Sequence, residues 1–402
     1  MRKPKLRFAG FEDEWKPFQI KNVLRKVSRP VDVVSSGEYS QIGIRSHGKG
    51  IFHKAPVTGA SLGDKRVFWV EPNALVVNIV FAWEQAVAVT TDREERMVAS
   101  HRFPMYVAKD FLAEPEFILR LFLTRKGKKL LELASPGGAG RNKTLGQKEF
   151  ESLKIALPSP PEQRKVATFL LAVDERIRLE ERKLARLREY KKSTAEKIFR
   201  QEIRFRNDVG EDFPDWELRP LGDVATFSKG KGLSKSDLVS DGRTKCILYG
   251  ELYTTYGQII PDAVSRTNVA AEGLVLSRKN DVIIPASGET PLDIATAACV
   301  LEPGIALGGD LNIIRTGVNG AFLAYCLSMH KRPEIAAMAQ GNSVVHLYAK
   351  QLRSLLIPLP ADKEQEKIAA FLSALDARIA GAMSRIEELR TFKRGLLQQL
   401  FV

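Results

Sequence analysis

Side chains able to grip a polyanion gather in two groups, one in each half of the chain. Arg45, Lys49, Lys65, Arg66, Arg141 and Lys143 form the first, with Ser46, His47 and Asn142 beside them. Lys229, Lys231, Lys235, Arg243 and Lys245 form the second, and His346 and Lys350 follow near its end. Several sit in Gly- and Ser-rich stretches, IRSHGKG (44–50) and FSKGKGLSKSD (227–237). On such loops Lys and Arg can follow phosphates while Arg, Asn and Ser reach base edges, if a rigid scaffold holds them in a groove. Taken singly, each is an ordinary solvated charge. Their recurrence as two clusters is what points to a nucleic acid.

Charge distribution agrees. The chain has 62 Lys and Arg against 48 Asp and Glu, a formal +14, which suits a polyanionic partner and also aids solubility. Residues 1–159 hold 27 basic and 17 acidic side chains, and 160–206 hold 14 and 8. Residues 207–360 hold 14 and 17, and 361–402 hold 7 and 6. A nucleic-acid contact in the second half must therefore concentrate its cations, and 229–245 does so with five basic residues against Asp237 and Asp241.

Catalytic chemistry is not visible. FSKGKG has glycines but lacks the Gly-Lys-Ser/Thr end of a phosphate loop. No Asn-Pro-Pro-Tyr or Asp-Pro-Pro-Tyr segment is present, and the closest string, Ser159-Pro160-Pro161-Glu162, reads as a helix entrance. The five histidines (47, 53, 101, 330, 346) show no metal-ligand spacing. Glu189 and Lys191 have nuclease-like spacing but read as a charged helix face. The expectation is a non-enzyme with no cofactor or metal of its own. Cys246, Cys299 and Cys326 lie far apart, which suits a reduced cytoplasm and neither disulfides nor zinc. No apolar run approaches the roughly 20 residues of a membrane helix, and MRKPKLRFAG lacks the apolar stretch of a secretory signal.

The elements that must position the clusters are written twice. LKIALPSPPEQRKVATFLLAVDERI (153–177) returns as LLIPLPADKEQEKIAAFLSALDARI (355–379), 14 of 25 positions identical at a constant offset of 202. GFEDEWKPFQIKNV (10–23) likewise resembles DFPDWELRPLGDV (212–224), aligned through Trp15 and Trp216. The chain is a tandem duplication. Each copy opens with a β-rich part, 16–155 or 217–357, marked by β-branched and aromatic runs at 67–81 and 281–301 that Gly or Pro breaks. Short helices are expected around 114–131 and 320–338. Trp15 and Trp216 are expected to staple each module's start to its core, and Trp69 and Trp83 to be core residues rather than base-stacking platforms.

Each copy ends in a long helix. Val166, Leu170, Val173, Ile177, Glu180, Leu184, Leu187 and Lys191 alternate steps of four and three. Ile368, Leu372, Leu375, Ile379, Ala382, Ile386, Leu389 and Lys393 repeat them 202 residues on. That is coiled-coil spacing. Two such helices separated by a globular module pair most simply with each other, antiparallel; a helix packed only on its own module would not need so narrow a seam. The predicted fold is α+β: a recognition module at 1–157, a helix and connector at 158–206, a second module at 207–359 and a second helix at 360–402.

The duplicated helix entrances and the connector LREYKKSTAEKIFRQEIRFRNDVGEDFPDWELRPLGDV (187–224) resemble the specificity subunit of type I restriction-modification systems. GNSVVHLYAKQL (341–352) resembles that family's approach to its second helix, whereas GRNKTLGQKEF (140–150) is a looser fit. The resemblance implies two target recognition domains, each reading one half of a split, asymmetric double-stranded DNA sequence. It implies an antiparallel helical ruler that docks two methyltransferase (M) subunits, with restriction (R) subunits joining through the complex. S-adenosylmethionine, ATP and Mg would belong to those partners. Two rivals remain at this point. A coiled-coil scaffold joining two protein-binding modules would show no salt-sensitive affinity for duplex DNA, and a DNA-modifying enzyme would bind S-adenosylmethionine unaided.

Overall fold

The two ends of each repeat meet as a strand pair. Lys16–Gln19 runs antiparallel to Lys154–Leu157, with Lys16 opposite Leu157. Glu217–Pro220 pairs in the same manner with Leu356–Leu359, with Glu217 opposite Leu359. One helical turn follows each opening strand, Ile20–Val23 or Leu221–Val224. Its first N–H donates to the Leu153 carbonyl at 3.0 Å or to the Leu355 carbonyl at 2.9 Å. The repeated Leu-Pro segment thus closes a module before it starts a helix.

The computed structural model describes residues 4–63, 65–137, 143–341 and 344–401. Compact packing divides them into two units, residues up to 180 with those from 385, and residues 181–384. The repeat boundaries at 157, 206 and 359 mark the duplication, whereas each compact unit takes the early part of one long helix with the late part of the other.

In the first unit a four-stranded antiparallel sheet has the order Leu24–Val27, Met105–Ala108, Leu75–Val77, Val87–Val89. The run 67–81 is broken, as its proline implied. Val67–Trp69 pairs with Val98–Ser100, and Leu75–Val77 belongs to the larger sheet. Pro72 and Asn73 divide them, Asn73 with φ of 52°, a conformation Asn tolerates better than the flanking β-branched residues. The helix expected around 114–131 is two, Pro115–Phe122 and Arg125–Leu133, with the Thr124 hydroxyl capping the second by accepting the Gly127 N–H at 3.0 Å. Gly127 is required for close approach, since a Cβ there would lie 2.0 Å from the Leu121 carbonyl oxygen.

The second unit holds a five-stranded sheet in the order Ala225–Lys229, Leu311–Thr316, Asp281–Pro285, Ala298–Val300, Ile259–Ile260. Asp281–Pro285 is buried along its whole length, as a central strand covered on both faces should be. Its one carboxylate, Asp281, is held by Arg315 at 3.2 Å. A smaller sheet has the order Ser265–Thr267, Thr244–Ile247, Ala306–Leu307, Val275–Leu276. The helix expected at 320–338 is interrupted: Gly320–Tyr325 widens into a π turn at Cys326–His330, and Arg332–Met338 restarts with Pro333 in its first turn.

The long helices run Pro160–Phe199 and Asp362–Gln399. Each entrance is fixed by a buried glutamine. Gln163 Nε2 donates to the Pro158 and Leu112 carbonyls at 2.9 and 3.1 Å, and its Oε1 accepts the Glu114 N–H at 2.9 Å. Gln365 Nε2 donates to the Pro360 carbonyl at 2.8 Å, and its Oε1 accepts the Asn319 N–H at 3.0 Å. Glu114 and Asn319 each immediately precede a helix of their own module, so one amide ties strand exit, long helix and module together. The preceding glutamates are buried with arginines, Glu162 with Arg7 at 2.7 Å and Glu364 with Arg204 at 3.0 Å.

Gln365→Ala and Gln163→Ala should each orphan buried backbone groups, at about 1–3 kcal/mol per group. Urea unfolding should show a loss of this size for both, and a loss below about 0.5 kcal/mol would contradict the assigned role. All three cysteines are free and buried. Burial pushes the Cys246 thiol up to about 11 and those of Cys299 and Cys326 up to about 12. Iodoacetamide at mildly alkaline pH should therefore label them only after unfolding.

Candidate nucleic-acid interface

Arg45 and Lys49 are exposed on the hairpin tip between Ile42–Ile44 and Ile51–His53. The tip turns through positive φ at His47, Gly48 and Gly50. Its His47 and Gly48 N–H groups donate to the Glu84 and Gln85 carbonyls at 2.7 and 3.0 Å, and Ser46 donates to the Glu84 carboxylate at 2.9 Å. Lys143 lies over the neighbouring Trp83 ring, 5.6 Å from its centroid. Arg45, Lys49 and Lys143 therefore gather around one turn. Lys65 and Arg66 are exposed on a different turn, the one leading into Val67–Trp69. Arg141 lies outside the described residues.

In the second module Lys229 ends the strand Ala225–Lys229, Lys231 follows, and Lys235 opens a short turn; all three are exposed. The Lys231 N–H donates to the Leu307 carbonyl at 3.1 Å. Gly230 is needed there, since a Cβ would lie 2.0 Å from the Gly308 carbonyl oxygen. Arg243 immediately precedes the strand Thr244–Ile247 that holds Lys245, and both line a shallow pocket with Arg266 and Glu302. Lys245 differs from the others. Its Nζ is 2.7 Å from Asp262 and 2.9 Å from Glu302, and these two carboxylates raise its pKa. Its charge is balanced within the module by residues the local sequence could not reveal.

The seam residues are inward along both helices. Val166, Leu170, Val173 and Leu187 are buried, and Ile177 and Leu184 half-buried. Ile368, Leu372, Leu375 and Ile386 are buried, and Ile379 and Leu389 half-buried. The seam lysines explain their own presence. Lys191 Nζ is 2.6 Å from Asp376 Oδ1 and 2.9 Å from Gln258 Oε1, with the Tyr325 ring 5.1 Å away. Tyr325 donates its hydroxyl to Asp376 at 2.6 Å, and burial, reinforced by that carboxylate, holds the hydroxyl well above the usual tyrosine range. In the other unit Lys393 pairs with Asp174, which also receives Arg120, and Arg120 in turn pairs with Glu116. Asp174 and Asp376 are equivalent in the duplication, as are Lys191 and Lys393, at the offset of 202. Lys191 is accordingly a structural residue, not half of a nuclease pair.

Trp15 and Trp216 are fasteners, as their repetition implied. Trp15 is buried with its ring 5.7 Å from Phe117 and 6.4 Å from Phe401. Trp216 lies 6.5 Å from Phe199 and 6.4 Å from Phe322, and donates its indole N–H to Glu364 at 2.9 Å. Trp69 and Trp83 are half-buried, beside Tyr39 and Lys143 respectively. Sequence reasoning missed the partners Arg7, Arg204, Arg120 and Tyr325. The identity of Asp174 with Asp376 was the available signal that a partner existed.

Asp376→Ala should leave the Lys191 ammonium with only Gln258. We expect a cost of about 2 kcal/mol, below the roughly 3–5 of a fully buried pair because Asp376 is partly exposed. The double variant Asp376→Ala with Lys191→Met should recover much of it. Additive losses in denaturant unfolding would contradict the pairing.

Similar proteins bear on the whole chain. The family model for the type I restriction modification DNA specificity domain matches residues 75–189 and 214–391. The putative type I restriction enzyme MjaX specificity subunit of Methanocaldococcus jannaschii is 28% identical over 295 residues, 71% of this chain and 67% of that protein. The MjaVIII specificity subunit of the same organism is 24% identical, over 64% of this chain and 63% of its own length. The solved S subunit of a type I restriction-modification system from M. genitalium has a similar fold, with a TM-score of 0.63 at 15% identity over 100% of this chain and 99% of that one. A chain solved in work on complex assembly and conformational transition of the type I R-M system gives 0.57 at 19% identity, over 98% and 99%.

Proposed function

The chain belongs to the type I restriction modification DNA specificity family, and we propose that each of its two modules reads one half of a split, asymmetric target in duplex DNA. In this reading residues Arg45, Lys49 and Lys143, with Lys65 and Arg66, carry the first half-site's contacts. Lys229, Lys231 and Lys235, with Arg243, carry the second. Lys245 is left out because Asp262 and Glu302 already occupy its ammonium.

The observation that carries the proposal is the reciprocity of the two partly buried ion pairs. The early aspartate of each long helix meets the late lysine of the other, Asp174 with Lys393 and Asp376 with Lys191. That pattern supports antiparallel pairing, because parallel helices would bring early residues to early residues. A paired rod with a module at either end would fix the separation of two half-sites on one face of the duplex. Its pseudo-two-fold character suits two M subunits, each meeting a similar surface, with R subunits joining through them. Methyl transfer from S-adenosylmethionine to adenine N6, and ATP- and Mg-dependent restriction, would lie on those partners. This chain would supply address, not chemistry.

Two outcomes follow. Exchanging residues 217–355 for the corresponding module of a relative, in complex with the M subunit, should change one half of the methylated sequence in a methylome and leave the other intact. A change in both halves would sink the modular reading. Replacing Lys65 and Arg66 by Ala should weaken binding to target and unrelated duplexes alike and lower the salt slope by about one for each phosphate no longer neutralised. An unchanged salt slope would remove these two residues from the interface.

A further inference from the structure

Deepening the proposed reading of the second module, we infer that His346 and Tyr348 form a contact for a DNA phosphate, oriented from below by Ser287. The segment Val345 to Tyr348 alternates in burial: Val345 and Leu347 point inward, at 4% and 0% exposure, while His346 and Tyr348 are exposed. An exposed strand end ordinarily leaves its side chains free to rotate. This one does not.

The backbone is tied on every side. His346 exchanges both of its main-chain hydrogen bonds with Gln340, at 2.7 and 3.0 Å. The Leu347 N–H donates to the Ala286 carbonyl at 2.9 Å, and its carbonyl accepts from the fully buried Asn312 amide at 2.9 Å. The imidazole is fixed as well. Its Nδ1 lies 3.1 Å from the hydroxyl of Ser287, itself 6% exposed, and its ring stacks at 30° with the Tyr348 ring, centroids 6.3 Å apart. One ring nitrogen and one ring face are thus spoken for. Nε2 has no protein partner among the described residues. When Ser287 donates to Nδ1, Nε2 carries the proton and becomes a donor.

The surroundings identify the ligand by charge and donor type. The Ala286 N–H donates to the Asp310 carbonyl at 2.7 Å, and the Gly230 N–H donates to the Leu311 carbonyl at 2.9 Å. Backbone bonds therefore place the segment that pairs with His346 and the loop bearing Lys229 and Lys231 on either side of the start of Leu311–Thr316, at one end of the sheet. Asp310 is exposed at the same end. Imidazole N–H, phenol O–H and lysine ammonium groups all donate. A phosphodiester, which only accepts, matches them better than a base edge, which presents both donors and acceptors. The stacked ring face also leaves less aromatic surface for a base.

The test uses the assembled complex of this chain with its M subunits, carrying His346→Ala, Tyr348→Phe or Ser287→Ala. His346→Ala should reduce affinity about tenfold, the worth of one good charge-assisted hydrogen bond, by the same factor for the target duplex and an unrelated one. The methylated sequence should stay as in the wild type. Ser287→Ala should give a smaller uniform loss that does not add to that of His346→Ala. Unchanged affinity in His346→Ala would overturn the inference, and so would relaxation of one base in the methylome, which would make His346 a base reader. Neither result touches the bipartite reading, which fails only if the wild-type complex shows no split target. Since both rings are exposed, thermal unfolding of the variants should match the wild type, and a large stability loss would assign the pair a structural role instead.

Discussion

A lysine on a helix seam can stay buried only beside a carboxylate, and that requirement organises this chain. Desolvating an ammonium costs several kcal/mol unless a close partner offsets it. Each long helix carries one seam lysine, Lys191 buried and Lys393 half-buried, and one aspartate, and each lysine finds its carboxylate on the other helix. Lys191 needs Asp376, and Lys393 needs Asp174. Purely apolar seams would tolerate a slip of one heptad at little cost. The charged pairs penalise it, so they specify which part of one helix lies against which part of the other.

The same aspartates reach into the modules, and there the copies have diverged. Asp376 accepts a tyrosine hydroxyl from the helix Gly320–Tyr325, whereas Asp174 takes the guanidinium of Arg120 from Pro115–Phe122. Glutamine and glutamate at the helix entrances add a second junction of the same kind. A module can therefore exchange its loops, and its charge balance, while the junction side chains hold its base to the helix.

Much of this was legible in the residues. The repeat exposed Glu162 and Gln163, Asp174 and the seam lysines as positions under a common constraint, and the step of four and three gave the buried helix face. What each polar residue touches was not legible. Arg120, Tyr325 and Gln258 lie far from their partners in sequence and have no common residue type at equivalent places. The break within 67–81 was legible in Pro72, and the sheet to which each half belongs was not. The partners of Lys245 were hidden for a related reason, since Asp262 and Glu302 approach it only through the folded module. Charge counted along a chain is not charge counted across a surface.

In the proposed function the long helices would set the distance between two DNA half-sites. Inserting one helical turn of four residues into both, after Arg182 and after Ser384, tests it most directly. The insertion should lengthen each helix by about 6 Å, equivalent to roughly two base pairs at about 3.4 Å each. Methylome mapping of the complex should then show both half-sites keeping their bases while the gap between them grows by one or two. Full activity on the original spacing would contradict the account.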